Sequence, residues 1–103
     1  MKTKDFKIGL LKRLKNADYA AGYLAEVLER ESQEAFLVAV KNVLEAREAH
    51  MSNFAKKAGL SRQAVYHALS RRGNPRLSTL NQILKAAGLK ITFDTDRKAA
   101  ELI

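Results

Sequence analysis

Cysteine is absent from this 103-residue sequence, which excludes disulfide bonds and thiolate metal sites and makes the cytoplasm the default location. Tryptophan is also absent and only 7% of the residues are aromatic, so the core must consist mainly of Leu, Val, Ile and Ala. That mix suits packed helices. No apolar run approaches the roughly 20 residues of a membrane span, and the basic start has no apolar stretch of signal-peptide length. We expect one folded cytoplasmic domain with no membrane contact.

Carboxylates are missing from one long segment of the chain. The net charge is +8, and residues 49–93 contain eight Lys or Arg but no Asp or Glu, whereas residues 16–48 carry seven acidic and three basic residues. A segment of one charge sign indicates a polyanionic partner, because each cation that meets a phosphate releases counterions and gains affinity. The alternative is a basic surface that only serves solubility.

Apolar residues recur at helical spacing in the first half of the chain. A short first helix is predicted around residues 10–14, and a second carries the buried stripe of residues 20–28. Asn16 or Asp18 would cap the second helix, and Ser32 the third, which should end near residue 48.

Three shorter helices are predicted beyond residue 50. The first covers 51–58 and stops at Gly59, and the second begins after Ser61 and runs to about residue 71. Ser78 would cap the last helix, which ends at Gly88. The sequence therefore predicts six helices.

After Gly88 the period of the pattern changes. Leu89, Ile91 and Phe93 alternate with polar residues, which predicts a strand over residues 89–94. A single strand leaves its backbone polar groups unpaired, and the nearest candidate partner is the same strand of a second copy. We therefore expect a homodimer, with a loose polar tail over 95–103.

One motif carries most of the functional argument. Between Phe54 and Leu69 the sequence reads FAKKAGLSRQAVYHAL. Ala55 is small enough for a close helix crossing, Gly59 tolerates the positive φ of a tight turn, and Val65 fills the gap between the helices. This spacing predicts a DNA-binding helix-turn-helix. Any tight helical hairpin could contain the same three residues, so a purely structural hairpin is the alternative.

The second helix of such a motif lies in the DNA major groove with its first residues against base edges. Arginine can bridge two acceptors of guanine, and glutamine can pair with adenine. The expected base-reading residues are Arg62, Gln63, Tyr66 and His67. Each could instead be an ordinary solvated residue, and Tyr66 could be half buried by packing. Metal binding finds no support, because a ligand histidine needs partners and His50 stands alone.

Phosphate contacts position a protein on DNA without reading its sequence. The candidates flank the second helix of the motif and are Ser52, Lys56, Arg71, Arg72, Asn74 and Arg76. The two consecutive arginines follow that helix directly, so a loop that holds them against the DNA backbone is expected. Solvent-facing charge after a helix end is the alternative.

Residues 50–93 resemble the lambda-repressor-like (XRE) helix-turn-helix domains, and residues 10–93 resemble the HigA-type antitoxins of addiction modules. The resemblance rests on LKNADYAAGYLAEVLE, FLVAVKNVLEAR and MSNFAKKAGLSRQAVYHALSRRGNPRLSTLNQILKAAGLKI, and it is most specific in GLSRQAVYHALS and GNPRLSTL. His50 departs from it, since glycine is expected before the first helix of the motif. The resemblance implies a dimeric repressor of its own operon that also silences a RelE/HigB-like ribonuclease toxin.

The residues before Ser32 exceed what a minimal helical DNA-binding domain needs. This region is acidic from Asp18 to Glu34, and the toxins that the resemblance implies are typically basic, so charge complementarity would favour association there. The residues expected to bind the toxin are Asp18, Glu26, Glu29 and Glu31. An amphipathic helix that merely completes the core is an equal alternative.

The sequence as a whole predicts an all-α fold, a lambda-repressor-like helix-turn-helix bundle with extra N-terminal helices and a short C-terminal strand. It forms a single domain, 1–103, with a helical extension at 10–31, a DNA-binding core at 32–88, a strand at 89–94 and a tail at 95–103. The expected partners are a double-stranded DNA operator, a RelE/HigB-like toxin and a second copy. No catalytic residue, metal or cofactor is expected.

Three other functions compete with this interpretation. A solitary or phage-type XRE-family repressor without a toxin shares every residue argument. A nucleic-acid enzyme is disfavoured, because the basic segment offers no carboxylates for metal ions and no nucleophile with its base. An RNA-binding or protein-interaction module would rely on exposed aromatics, whereas the basic segment has only Phe54, Tyr66 and Phe93, two of which look buried.

Overall fold

The computed structural model describes residues 3–47, 50–70 and 72–96, with side chains from Asp5 onward. Within these ranges the chain is helical, in agreement with the predicted all-α class. The helices are α1 (Thr3–Leu14), α2 (Ala17–Arg30), α3 (Gln33–Arg47), α4 (Met51–Ala58), α5 (Arg62–Ala68) and α6 (Leu77–Ala86).

Local side-chain caps explain where α2 and α3 begin. Asn16 Oδ1 accepts a hydrogen bond of 2.9 Å from the backbone N–H of Tyr19, which confirms the first of the two predicted caps of α2. Ser32 Oγ accepts one of 3.1 Å from the N–H of Ala35, as predicted for α3. Both caps follow from sequence because the bonds join residues only three apart.

Helices α1 and α2 pack on α3 and bury the apolar stripe predicted from their spacing. Leu14 of α1, Ala20 of α2 and Val40 of α3 are fully buried. A hydrogen bond of 3.2 Å from Asn42 Nδ2 to the hydroxyl of Tyr23 joins α3 to α2 at the edge of this contact. The extension therefore shares the core of the protein through α3.

The other half of the core lies among α4, α5 and α6, because α6 packs on both shorter helices. Phe54, Val65 and Ile83 are at most 1% exposed and place one large side chain from each helix at the centre. One cluster of buried residues joins them to the side chains of α1, α2 and α3. Among the described helices, none is long and apolar enough to cross a membrane.

The predicted end of α5 and the predicted start of α6, on either side of the same loop, were wrong. Helix α5 ends at Ala68 rather than near residue 71, because the hydroxyl of Ser70 bonds the His67 carbonyl (2.9 Å) and the chain turns away. Ser78 does not cap α6. The helix begins at Leu77, after the extended backbone of Arg76 (ψ 152°), so Ser78 lies inside its first turn.

Residues 89–94 form no strand in the single chain, which corrects the prediction of a strand there. A strand exists through bonds to a neighbouring strand, and every other regular element of the described chain is a helix. Leu89 is half buried, whereas Ile91 is 36% and Phe93 is 93% exposed. The preceding Gly88 has the predicted positive φ, 86°. Residues 97–103, most of the predicted tail, lie outside the described residues.

Candidate nucleic-acid interface

A tight turn sets the angle between α4 and α5. Gly59 adopts a left-handed conformation (φ 75°, ψ 27°), and its N–H and that of Leu60 bond the carbonyls of Lys56 and Ala55. A residue with a Cβ would be strained at this φ, as predicted from the motif. Two residues later, Ser61 Oγ accepts a bond of 2.9 Å from the N–H of Ala64 and starts α5.

The three motif residues lie where the spacing predicts. Ala55 is 2% exposed and Val65 is fully buried, so the small and the branched side chain both face the interior of the α4–α5 pair. Gln82 of α6 donates a hydrogen bond of 3.2 Å to the carbonyl of Ala58 and satisfies the end of α4. Helix α6 thereby stabilises the turn between α4 and α5.

Burial of one side of α5 directs the other side outward. Val65, Ala68 and the adjoining Leu69 face the core, and the four expected base-reading side chains are all exposed. These are Arg62, Gln63, Tyr66 and His67. The exposed surface of α5 thus offers hydrogen-bond donors, an amide acceptor and a half-exposed phenol ring.

Arg62 and Tyr66 are in contact with each other. The guanidinium carbon of Arg62 lies 5.9 Å from the centroid of the Tyr66 ring, at the i, i+4 spacing that brings two side chains onto one helix face. The contact places the cation of Arg62 over an aromatic ring on the exposed side of α5.

A concave surface of about 500 Å³ lies between α3, the start of α4 and the first turn of α5. Lys41 and His50 line it together with the predicted Ser52, Arg62 and Tyr66. Sequence reasoning missed Lys41 because α3 crosses the motif only in three dimensions. In the sequence, the available signal was a single lysine among the apolar residues of α3.

The first turn of α4 faces this concave surface without a side-chain cap. His50 precedes the helix with an extended backbone (φ −132°, ψ 116°) and makes no capping hydrogen bond. The glycine expected at this position is not required here, because φ is negative. The first backbone N–H groups of α4 and the hydroxyl of exposed Ser52 are thus the donors at its start.

One carboxylate, that of Glu45, lies among the residues that line the concave surface. Its Oε1 is 3.3 Å from the ammonium of Lys7 on α1. This half-exposed pairing compensates part of its charge, and Lys41 and Arg62 place two further cations at the same surface.

The remaining phosphate candidates differ in what they contact. Lys56, Arg72 and Arg76 are exposed at the end of α4 and in the loop before α6. Asn74 is exposed too, but its Oδ1 accepts a hydrogen bond of 3.2 Å from Gln33 Nε2, which ties the loop to the start of α3. Arg71 lies outside the described residues.

The four residues expected to bind toxin are exposed on α2 and at its end. Asp18, Glu26 and Glu29 stand at i, i+8 and i+11, which places them on one side of the helix. Glu26 forms a salt bridge with Arg30 one turn later, so its charge is partly compensated.

The aromatic residues of the basic segment are less buried than expected. Two of the three were expected to be buried, and only Phe54 is, at 1% exposure. Tyr66 is 46% exposed and Phe93 is 93% exposed. Within the described part of the chain, His, Asp and Glu nowhere form a group of three that could hold a metal ion.

Comparison with known proteins identifies one family. The family described as "Probable addiction module antidote protein" matches residues 2–95. A protein of Haemophilus influenzae (strain ATCC 51907 / DSM 11121 / KW20 / Rd), described as uncharacterized, is 34% identical over 96 residues, which cover 93% of this chain and 95% of that relative. No solved structure matches the chain.

Proposed function

Since the chain belongs to the family of probable addiction module antidote proteins, we propose that it is an antitoxin that neutralises a RelE/HigB-like toxin and represses its own operon. The family implies a toxin partner of some kind. The DNA binding is the part that we add from the residues, and the RelE/HigB-like identity of the toxin and the autorepression are what the resemblance of residues 10–93 to HigA-type antitoxins implies.

One observation carries the proposed DNA binding. Helix α5 exposes Arg62, Gln63, Tyr66 and His67 while its opposite side is buried, and the segment 49–93 around it contains no carboxylate. We propose that α4 and α5 act as a lambda-repressor-like helix-turn-helix with α5 in the major groove. Arg62 and Gln63 have the side chains that read guanine and adenine.

The concave surface beside α5 fits a phosphate group of the same DNA. Lys41, His50 and Arg62 supply positive or hydrogen-bonding side chains there, and Ser52 adds a hydroxyl. Such contacts would fix the position of α5 in the groove, because backbone contacts set the register in which bases are read. Arg72 and Arg76, exposed in the loop that follows α5, would extend them.

The acidic side of α2 supports a toxin site separate from the DNA-binding surface. Asp18 and Glu29 project from a helix that packs on α1 and α3, whereas α5 packs on α4 and α6. Separate surfaces would allow one antitoxin to hold DNA and toxin together. A basic toxin would be attracted to this side of α2.

We further propose that the active form is a non-enzymatic homodimer in the cytoplasm, where operator DNA is accessible. A twofold dimer places two recognition helices against two half-sites about one helical turn apart. Pairing of residues 89–94 between two copies would supply the neighbour that this segment lacks in the single chain.

A mobility-shift experiment on the DNA upstream of the gene tests the proposal. Purified protein should shift this DNA at concentrations at least tenfold below those that shift a scrambled duplex or an RNA hairpin. A preferred RNA hairpin would contradict operator binding. Co-expression with the neighbouring gene product should give a co-purifying complex.

A solitary repressor remains the second candidate, because it shares the exposed α5 side chains. It predicts specific DNA binding with no bound neighbour and no rescue of cell growth. If the chain shifts its operator but leaves the toxicity of the neighbouring gene unchanged, the solitary repressor replaces the autorepressing antitoxin.

A further inference from the structure

An apolar groove runs between α2 and the segment that follows α6. It has a volume of about 600 Å³, and Ala21, Ala25 and Leu28 line one side while Leu84 and Ile91 line the other. Leu28 is 64% exposed and both alanines are exposed as well. Since a cavity of about 150 Å³ holds a benzene ring, the groove has room for a phenyl side chain.

Phe93 directly follows Thr92, the last residue of the chain that lines this groove, and is 93% exposed. It is thus the largest side chain of the described residues left almost entirely in water. We infer that a second copy of this chain covers the groove, and that Phe93 of each copy enters the groove of the other. This inference rests on the homodimer of the proposed function and specifies its contact.

The alternation of residues 89–93 gives the geometry of this exchange. In an extended segment, residues 89, 91 and 93 share one face and follow each other at about 6.6 Å. When two such segments pair antiparallel with Ile91 opposite Ile91, residue 93 of the second copy stands opposite Leu89. Leu89 lines the groove, so the phenyl ring of the second copy arrives at its mouth.

The polar residues of the same segment favour the antiparallel direction. On the other face, antiparallel pairing sets Lys90 of one copy opposite Thr92 of the second copy and diagonal to both the Lys90 and the Asp94 of that copy. Parallel pairing in register would set Lys90 against Lys90 and Asp94 against Asp94. Both residues are exposed and therefore available for this complementarity.

The area that the exchange would bury meets the requirement for a specific dimer. An aromatic side chain buries about 200 Å² and covers a similar area of its pocket, so two exchanged rings with the paired backbones give about 1,000 Å². Specific interfaces start at about this size, and we expect dissociation constants in the micromolar range.

Sedimentation of the full chain tests the exchange with two variants that act on opposite sides of the contact. Phe93→Ser removes the ring, and Ala25→Arg fills the groove from an exposed helical position. Each should raise the dimer dissociation constant at least about tenfold, because a central aromatic anchor dominates a small interface. The control Phe6→Ser removes an aromatic ring that is 59% exposed on α1 and should leave the dimer intact.

Mixing the two variants gives the most specific readout. A mixed dimer contains one intact pair, the Phe93 of the Ala25→Arg chain in the open groove of the Phe93→Ser chain. The mixture should therefore dimerise more tightly than either variant alone. Circular dichroism melts at low concentration should show that all three single variants keep the fold, since none of these side chains is buried in the single chain.

Several outcomes would overturn the exchange. The first is a wild-type chain that stays monomeric at about 50 µM. The second is a dimer whose dissociation constant neither variant changes, and the third is a mixture of the two variants that dimerises no more tightly than each variant alone. If the chain dimerises only when the neighbouring gene product is absent, and Ala25→Arg abolishes the complex of the chain with that gene product, the groove is assigned to the toxin.

Operator shifts and toxin neutralisation are measured separately, so a dimer that forms without the exchange leaves the proposed function standing, whereas a monomeric wild-type chain overturns its homodimer as well. Asp18, one of the proposed toxin-binding residues, also lines the groove, so toxin binding is measured for Ala25→Arg too.

Discussion

The guanidinium of Arg47 donates from Nε to the carbonyl oxygen of Ala87 over 3.1 Å and joins the end of α3 to the end of α6. Its Nη1 donates to the carbonyl of Lys15, just beyond α1, over 2.9 Å. One cation therefore satisfies carbonyl groups at two helix ends and lies near a third, where the helix dipoles are negative. This contact links the N-terminal extension to the half of the core that carries α5.

Replacing Arg47 by Met should lower the free energy of unfolding by about 2 kcal/mol, since two carbonyls lose a charged donor that water replaces only in part. Urea denaturation followed by circular dichroism measures this. Arg30→Met is the matched control, because Arg30 forms an exposed salt bridge with Glu26 within one helix and should contribute less than about 0.5 kcal/mol. Equal effects of the two substitutions would show that the Arg47 contacts add no stability.

Substitution of glycine by alanine should change the stability of the protein in opposite directions at Gly73 and Gly22. A Cβ on Gly73 would lie 2.4 Å from the carbonyl oxygen of Ala68 at the end of α5, so Gly73→Ala must displace the loop and should cost about 1–3 kcal/mol. At Gly22, within α2, a Cβ meets nothing within 4 Å, and Gly22→Ala should stabilise by about 0.5–1 kcal/mol. Thermal melts of the two variants check both signs, and a stabilised Gly73→Ala would contradict the close approach.

Several elements held by local bonds were predictable, although the turn at Ser70 that ends α5 and the start of α6 were not. Contacts between residues far apart in sequence were not predictable. The Asn16 and Ser32 caps and the Gly59 turn depend on residues within four positions, so the pattern identified them. Lys41 and Arg47 act through helices far away in sequence, and no local signal shows which neighbour each will meet. The strand at 89–94 failed for a related reason, since the pattern describes a segment that can pair and cannot supply the neighbour.

The proposed base reading by Gln63 makes a prediction about specificity. Gln63→Ala should weaken binding to the preferred operator by about 1–3 kcal/mol and relax the base preference at one or two positions. Binding to random duplex should change little, because Gln63 carries no charge. Competition assays with singly substituted operators measure this, and equal losses on operator and random DNA would contradict base readout.

Arg72 is expected to act on all DNA sequences alike. Arg72→Ala should weaken specific and random binding by similar factors and flatten the slope of log K against log salt by about 0.9, the effect of one phosphate contact. Lys12→Ala, an exposed cation on α1, is the control and should leave the slope unchanged. Fluorescence anisotropy at several salt concentrations tests this, and an unchanged slope for Arg72→Ala would remove Arg72 from the interface.

The acidic side of α2 gives a prediction about toxin association. Reversing Glu26, Glu29 and Glu31 to Lys together should slow toxin association, most strongly at low salt, because such charges steer the encounter. Operator binding should persist, since α5 is unchanged. Stopped-flow or surface-based kinetics with the co-purified toxin measures the association rate.

Single reversals sharpen this test. Glu29→Lys should slow association more than Glu26→Lys, because Arg30 already compensates part of the Glu26 charge. Asp5→Lys, at an exposed position of α1, is the control for net charge and should have the smallest effect. If all three reversals slow association equally, the toxin responds to the total charge of the antitoxin and not to this side of α2. If the triple variant neutralises toxin at the wild-type rate, the toxin site lies elsewhere on the chain.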